Sequence, residues 1–168
     1  MIRLVPDVNR PIVICYAGAA PGYNIAWILE LFPTIEVWCY DPNPFSQNLL
    51  NSKRARCFNE FFTDDLAHEW GRRGCDIFIS DIRLEKPSRE EFNKGVSDDN
   101  IMQTNWVQII RPRLGAMLKY RPPYVTNYNV ELKDTILDGI LEMQIWPPVR
   151  STESRLIIGP PPKTGNYK

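Results

Sequence analysis

The sequence predicts an α/β fold: a mostly parallel central sheet with helices on both faces and an antiparallel pair of strands near its end. Three observations carry this. Short continuous apolar runs, the pattern of strands buried on both faces, recur at residues 12–16, 35–40, 76–80 and 116–120. Segments of helical period lie between them, so neighbouring strands run parallel through right-handed crossovers. The first run leaves through the small-residue turn AGAAPG straight into a helical stripe, as at the ligand-binding edge of a doubly wound sheet.

In chain order, residues 12–16 make a first strand bounded by Pro11 and Gly18. Ile25, Ile28, Leu29 and Phe32 form a helical stripe over 23–32 that Pro33 stops. Residues 35–40 are a second strand ending at Asp41, 44–50 a short helix, and 55–58 a weak third strand. Asp64 or Asp65 caps a helix running through Trp70, closed by Gly71 or Gly74. DIFIS, at 76–80, is a fourth strand ending at Asp81. Residues 100–110 are helical and 116–120 are a fifth strand, with 139–146 and 155–158 closing around the loop 147–153. There is no internal repeat. One domain over 1–160 is expected, followed by an extended proline-rich tail at 161–168.

At 168 residues and 43% hydrophobic content the chain can build a core of its own. Twenty basic residues balance twenty acidic ones, so no strong overall field draws it to nucleic acid or acidic lipid. No apolar run approaches the ~20 residues that span a bilayer, and no charged-then-apolar leader opens the chain. A soluble, cytoplasmic protein is expected. Cys15, Cys39, Cys57 and Cys75 each lie in or beside an apolar run, with no C-x-x-C pair for zinc; they read as buried, reduced thiols. No cluster of metal ligands stands out.

Asp41 follows Gly22 by nineteen residues, a spacing at which a carboxylate can take both hydroxyls of a ribose. The turn therefore points to a nucleoside-bearing cofactor. Ala20 stands where the second glycine of a dinucleotide fingerprint should be, and there is no phosphate-cradling G-x-x-x-x-G-K-[ST]. S-adenosylmethionine fits better, because its amino-acid end needs backbone contacts and it has no pyrophosphate. A tight β–α turn with small residues for packing is the plain alternative. RPPY, at 121–124, resembles the [N/D]-P-P-Y loop of amino-group methyltransferases, but begins with Arg and follows the fifth strand rather than the fourth.

Asp81 and Lys119 end the fourth and fifth strands, and Glu153 precedes the last apolar run. Methyl transfer to a hydroxyl needs an oxygen that has lost or is losing its proton; a lysine can take that proton or steer the oxygen, and carboxylates can orient the lysine. Each alone reads as a solvated strand end. Together they suggest a site.

The motifs YAGAAPG, ISDIR, LKYRPPY and STESRLII, in that order, resemble the poxvirus cap-specific mRNA 2′-O-methyltransferases, which are also stimulatory subunits of viral poly(A) polymerase. More distantly, the chain is similar to the heat-shock ribosomal RNA 2′-O-methyltransferases with their Lys-Asp-Lys-Glu tetrad. The resemblance spans roughly residues 11–160. It implies a Rossmann-like methyltransferase fold, S-adenosylmethionine as cofactor, capped mRNA or other single-stranded RNA as substrate, and a poly(A) polymerase catalytic subunit or another viral RNA-processing protein as partner, in host cytoplasm or virion. Asp81, Lys119 and Glu153 match the last three tetrad members. Gly18, Ala20, Gly22, Asp41 and Asp81 match the cofactor site, with Phe62 and Thr63 flanking the adenine. Tyr124 matches an aromatic that stacks on the methylated cap guanine by cation–π attraction; Arg121 and Arg83 join it at the substrate.

Two departures accompany the match. Residues 1–17 hold Arg3 and Arg10 but no lysine to serve as the first tetrad member, and arginine cannot be a base. The second cap-stacking aromatic has no counterpart. For RNA contact, Arg111, Arg113, Lys119 and Arg121 fall within eleven residues, and Lys53, Arg54 and Arg56 form a second cluster. The expected activity is 2′-O-methylation of the first transcribed nucleotide, with Lys119 as base or steering residue. The alternative is a non-catalytic RNA-binding or polymerase-stimulating subunit on the same fold; a nicotinamide-dependent oxidoreductase fits the turn poorly.

Overall fold

The computed structural model describes residues 10–83, 89–121, 138–143 and 154–160, with side chains throughout except at 89–94. Tyr124, Glu153, the loop 147–153 and the tail 161–168 lie outside them.

Seven strands form one sheet: β1 (Ile12–Ala17), β2 (Ile35–Tyr40), β3 (Ala55–Phe58), β4 (Ile77–Ser80), β5 (Gly115–Tyr120), β6 (Ile140–Met143) and β7 (Ser154–Ile158), in the order β3-β2-β1-β4-β5-β7-β6. The first five are parallel; β7 runs antiparallel to both β5 and β6. The expected α/β class with a terminal antiparallel hairpin is observed. Strand order reverses at β1, with β2 on one side and β4 on the other, so the crevice for a ligand opens above these carboxyl ends.

Period-two alternation divides the core. Ile14, Val37 and Cys39 face α1 (Tyr23–Leu31) and α2 (Gln47–Leu50), where they meet Ile25, Leu29 and Leu49. Cys15, Ala17, Phe78 and Leu118 face α3 (Asp64–Arg73) and α4 (Arg89–Ile110), where they meet Trp70 and Trp106. Both indoles reach a polar partner: Trp70 donates to the Tyr40 hydroxyl (3.1 Å) and Trp106 to Asp64 Oδ1 (2.7 Å). No disulfide joins the four cysteines; burial pushes the Cys75 thiol up to about 12 and raises those of Cys15 and Cys39 as well.

α4 begins well before the expected residue 100. Gly95 and a run of charges hid its first half, yet Val96, Asp99, Asn100 and Gln103, at i, i+3, i+4 and i+7, are all buried. The stripe was missed because three of its four members are polar. On α3 the cap is Thr63, whose Oγ1 accepts from the Leu66 amide (3.4 Å); Asp64 and Asp65 fill the first turn and Arg72 and Arg73 the last, matching the helix dipole.

Neither basic cluster of the sequence forms one surface. Arg54 turns inward to the carbonyls of Leu29, Phe32 and Ile35, closing the end of α1. Arg113 precedes β5 while Lys119 and Arg121 lie at its far end, about 20 Å away at strand rise.

Arg113 instead joins a brace at the base of the sheet. Asp76, 1% exposed, accepts from Arg10 through both oxygens (2.7 and 3.0 Å), from Arg113 Nε (2.7 Å) and from the Val13 amide (2.9 Å). Burial alone would raise this carboxyl, but Arg10, the Val13 amide and Arg113 outweigh it and hold it below its ordinary value. A lowered folded pKa means stability that is present above the unfolded value, about 3.9, and lost as pH falls through the folded one. Asp76→Asn is expected to cost about 2–3 kcal/mol at pH 7. Urea unfolding should show that gap narrowing once the pH drops below about 4; a gap unchanged down to pH 2 would contradict the ionic origin.

Candidate functional site

The turn after β1 is shaped by what packs on it. Gly18 and Gly22 have φ of 77° and 76°, in the left-handed region that glycine enters without a Cβ clash. A Cβ on Gly18 would stand 2.9 Å from the carbonyl carbon and oxygen of Asp81, and one on Gly22 would strike the Leu49 side chain. What approaches the first glycine, then, is the end of β4. The Gly18 amide donates to the Tyr40 carbonyl (2.8 Å) and the Asp81 amide to that of Ala17 (2.9 Å), so turn and strand end are held together.

Asp41 locks the turn to β2. Its Oδ2 accepts from the Ala20 amide (3.0 Å), and its Oδ1 from the amide and side chain of Asn43 (2.9 and 3.0 Å). An ionised carboxylate offers about four acceptor positions, so capacity remains for a further donor. Asn43 escaped the sequence reading; its only signal is its place two residues after an acid at a strand end.

At the ends of β4 and β5, Lys119 Nζ lies 3.0 Å from Asp81 Oδ1. Arg155 Nη2, on β7 and in register with Lys119, lies 3.3 Å from both Asp81 oxygens. All three side chains are between 20% and 28% exposed, desolvated enough for their charges to count and open enough to meet a ligand. Arg155 was in view in STESRLII but was passed over for Glu153; pairing opposite Lys119 depends on a register that a single strand does not disclose. Tyr16, at the end of β1, feels the same charges: burial first, then the Asp81 charge, push its hydroxyl up to about 12, partly offset by Arg155.

The polar stripe of α4 holds this edge in place. Gln103 Nε2 donates to the Lys119 carbonyl (3.2 Å) and Asn100 Nδ2 to that of Arg121 (2.9 Å). Arg83, expected at the substrate, has a side chain only 16% exposed; it pairs with buried Asp99 (3.6 Å) and donates to the Lys119 carbonyl (3.4 Å). Its charge is spent inside the protein. Phe62, expected beside the adenine, is 8% exposed, with its ring against Tyr40, Phe78 and Trp106. The outward aromatic of that stretch is Phe61, 63% exposed. Thr63 caps α3.

Among the described residues no group of three His, Cys, Asp or Glu side chains is placed to hold a metal ion, and no helix is long and apolar enough to cross a membrane.

A family model described as poly A polymerase regulatory subunit matches residues 5–163. No curated protein matches the chain. Among solved structures, a Plasmodium falciparum protein described as a ribosomal RNA methyltransferase superposes with a TM-score of 0.61 over 90% of this chain and 87% of its own, at 14% identity. At that identity the likeness shows the fold, which is the methyltransferase-like one expected from the sequence. Two structures of a point mutant of MtNAS, one in complex with S-adenosylmethionine, align at TM-scores of 0.45 and 0.42, with 10% and 11% identity, over 91% of this chain and 55–56% of theirs. These scores are too low to carry weight.

Proposed function

The chain belongs to the poly A polymerase regulatory subunit family, and from that premise we propose that it is an RNA ribose 2′-O-methyltransferase acting on the first transcribed nucleotide of capped mRNA. The observation that supports this most is Lys119 Nζ at 3.0 Å from Asp81, on a strand end that itself packs against the glycine turn.

The residues present suit S-adenosylmethionine. Gly22 leaves the N-terminus of α1 without a side-chain cap, and no acid lies in the first turn, so the amides of Tyr23 and Asn24 are available to a carboxylate, those of Ile25 and Ala26 being bonded to the Gly22 carbonyl. We assign the turn from Gly18 through Ala20 to Gly22 to the amino-acid end, Asp41 to the ribose, and the Phe62–Thr63 stretch to the adenine edge, with Phe62 as its packed floor. Bound there, the cofactor supplies a methyl group on a positively charged sulfur. Lys119 as the neutral amine would take the proton of the attacking 2′-hydroxyl, or as the ammonium would steer that oxygen, and Asp81 holds its Nζ in place. Arg155 anchors Asp81 through both carboxylate oxygens and adds a second cation where the upstream lysine is lacking. Glu153 completes the set as its fourth member, Tyr124 stacks on the cap guanine, and Arg121 meets the RNA backbone.

The test is transfer from labelled S-adenosylmethionine to a short RNA with a methylated cap and an unmodified first nucleotide, beside an uncapped control. Cap-dependent incorporation is expected. RNA binding without transfer would move the assignment to a non-catalytic subunit.

That second reading has an observation of its own. Tyr23, Trp27 and Leu31 line one outward face of α1, at 68%, 61% and 51% exposure, with Phe32 beside them. Such a face suits a protein partner, and for a regulatory subunit the partner is a poly(A) polymerase catalytic chain. Trp27→Glu is expected to weaken that association about 30-fold, the effect of losing a central aromatic anchor, with RNA binding retained. Titration of the catalytic chain measures it; unaltered association would remove α1 from the interface.

A further inference from the structure

Trp38 lies on β2, one strand in from the free edge formed by β3. Two guanidiniums rest on its ring: that of Arg56, from β3, with its carbon 4.7 Å from the ring centre, and that of Arg73, from the last turn of α3, at 3.7 Å. Phe58 stacks beside the indole and Trp70 meets it edge-on, so the ring is a fixed platform. The two charges are thereby kept within about 8 Å of each other.

Both arginines are exposed, and among the described residues neither forms an ion pair or hydrogen bond. Among the described residues no carboxylate, Glu36, Glu60 and Glu69 included, forms an ion pair with either arginine. Arg72, next to Arg73 in the chain, and Lys53, three residues before Arg56, are exposed as well. Two like charges brought together without a carboxylate form an unfavourable arrangement for a purely structural edge. A guanidinium flat on an aromatic face still offers its N–H edge in the fork geometry that suits phosphate oxygens. From β3 to β5 is four strand spacings, about 19 Å, and Lys119 lies three residues beyond the register of Arg56, about 10 Å, so the separation is roughly 22 Å, which a few nucleotides of single strand cover.

Resting on the reading above that the substrate is RNA, we propose that this edge is a second RNA contact, in which Arg56 and Arg73 hold phosphates of the same strand several nucleotides from the one presented to Lys119. The site takes phosphodiesters without regard to base, because the aromatic faces beneath it are covered by the guanidiniums.

The test is the salt dependence of binding to a fluorescently labelled, capped 12-nucleotide RNA, by anisotropy, for the wild type, R56Q/R73Q and the charge-keeping R56K/R73K. Each phosphate contact on a single strand contributes a slope of about −0.7 in log K against log salt. R56Q/R73Q is expected to reduce the slope by about 1.4 and to bind more weakly at low salt, and R56K/R73K to keep most of it. RNA binding by the wild type with the same slope in R56Q/R73Q overturns this contact and leaves the RNA reading intact. Absence of RNA binding by the wild type overturns both. Should R56Q/R73Q fail to fold, R56Q alone is expected to lower the slope by about 0.7, and an unchanged slope overturns the proposal.

Discussion

Lys119→Ala is expected to lower the turnover of methyl transfer to capped RNA by roughly 10²–10⁴-fold, the usual contribution of a positioned proton-transfer group. The ammonium is held by Asp81 at 3.0 Å, and its own backbone is fixed by Gln103 and Arg83 through the Lys119 carbonyl. Removing it therefore deletes a group without loosening the frame. Cofactor affinity should change little, since the turn and Asp41 are untouched, and KM should move much less than kcat. Lys119→Arg separates two roles: arginine keeps a positive charge but cannot take a proton. Recovery of a tenth or more of the activity in the arginine variant would favour steering; activity as low as in Lys119→Ala would favour a base. Transfer by Lys119→Ala within a few-fold of wild type would end the assignment of Lys119.

How much of this could be read from the chain depends on whether each feature is local. The strands of the parallel sheet were legible because burial on both faces writes continuous apolar runs, and the α1 helix because Pro33 follows it, although of its expected stripe Ile25 and Leu29 are buried while Ile28 and Phe32 are exposed. The placement of Asp81 and Lys119 was legible for the same reason: they are the first charged residues met as an apolar strand ends. Arg155 was not, because its relevance comes from antiparallel register with Lys119 across a long connection. The first half of α4 was missed because Gly95 and its charges interrupt the apolar pattern, and Asp99 within it is buried against Arg83 rather than for hydrophobicity. Conversely, adjacency in sequence misled at the basic stretch of β5. A strand carries Arg113 and Lys119 to opposite ends of the sheet, whatever their spacing in a list of residues.

The glycine turn joins the two halves of the site, and Gly18→Ala should expose that. At φ 77° an alanine costs about 1–2 kcal/mol in backbone strain alone. Its Cβ would also stand 2.9 Å from the Asp81 carbonyl group and 3.1 Å from the Ile82 nitrogen, which are backbone atoms and cannot rotate away. Relief needs a shift of the turn, which the Tyr40 carbonyl holds, or of the end of β4, which the Ala17 carbonyl holds. Overpacking of this kind adds about 1–3 kcal/mol, so a loss of roughly 2–5 kcal/mol in stability is expected. Any displacement that remains passes into the Asp81 side chain, and from there to Lys119 and Arg155. A misplacement near 1 Å at reacting groups can cost about 10²-fold in rate, so transfer should fall by that order even at temperatures where the variant stays folded. Gly74 supplies the control. Its φ is 81°, yet a Cβ there meets nothing within 4 Å, so Gly74→Ala should carry the strain without the collision. With ψ at 142° it lies outside the left-handed helical region, so a loss of about 1–3 kcal/mol is expected with methyl transfer kept. Thermal unfolding and turnover of the two variants side by side decide the matter. Equal losses of stability with activity retained in both would mean that Gly18 serves the backbone turn alone, and that the approach of β4 does not couple the cofactor edge to Lys119.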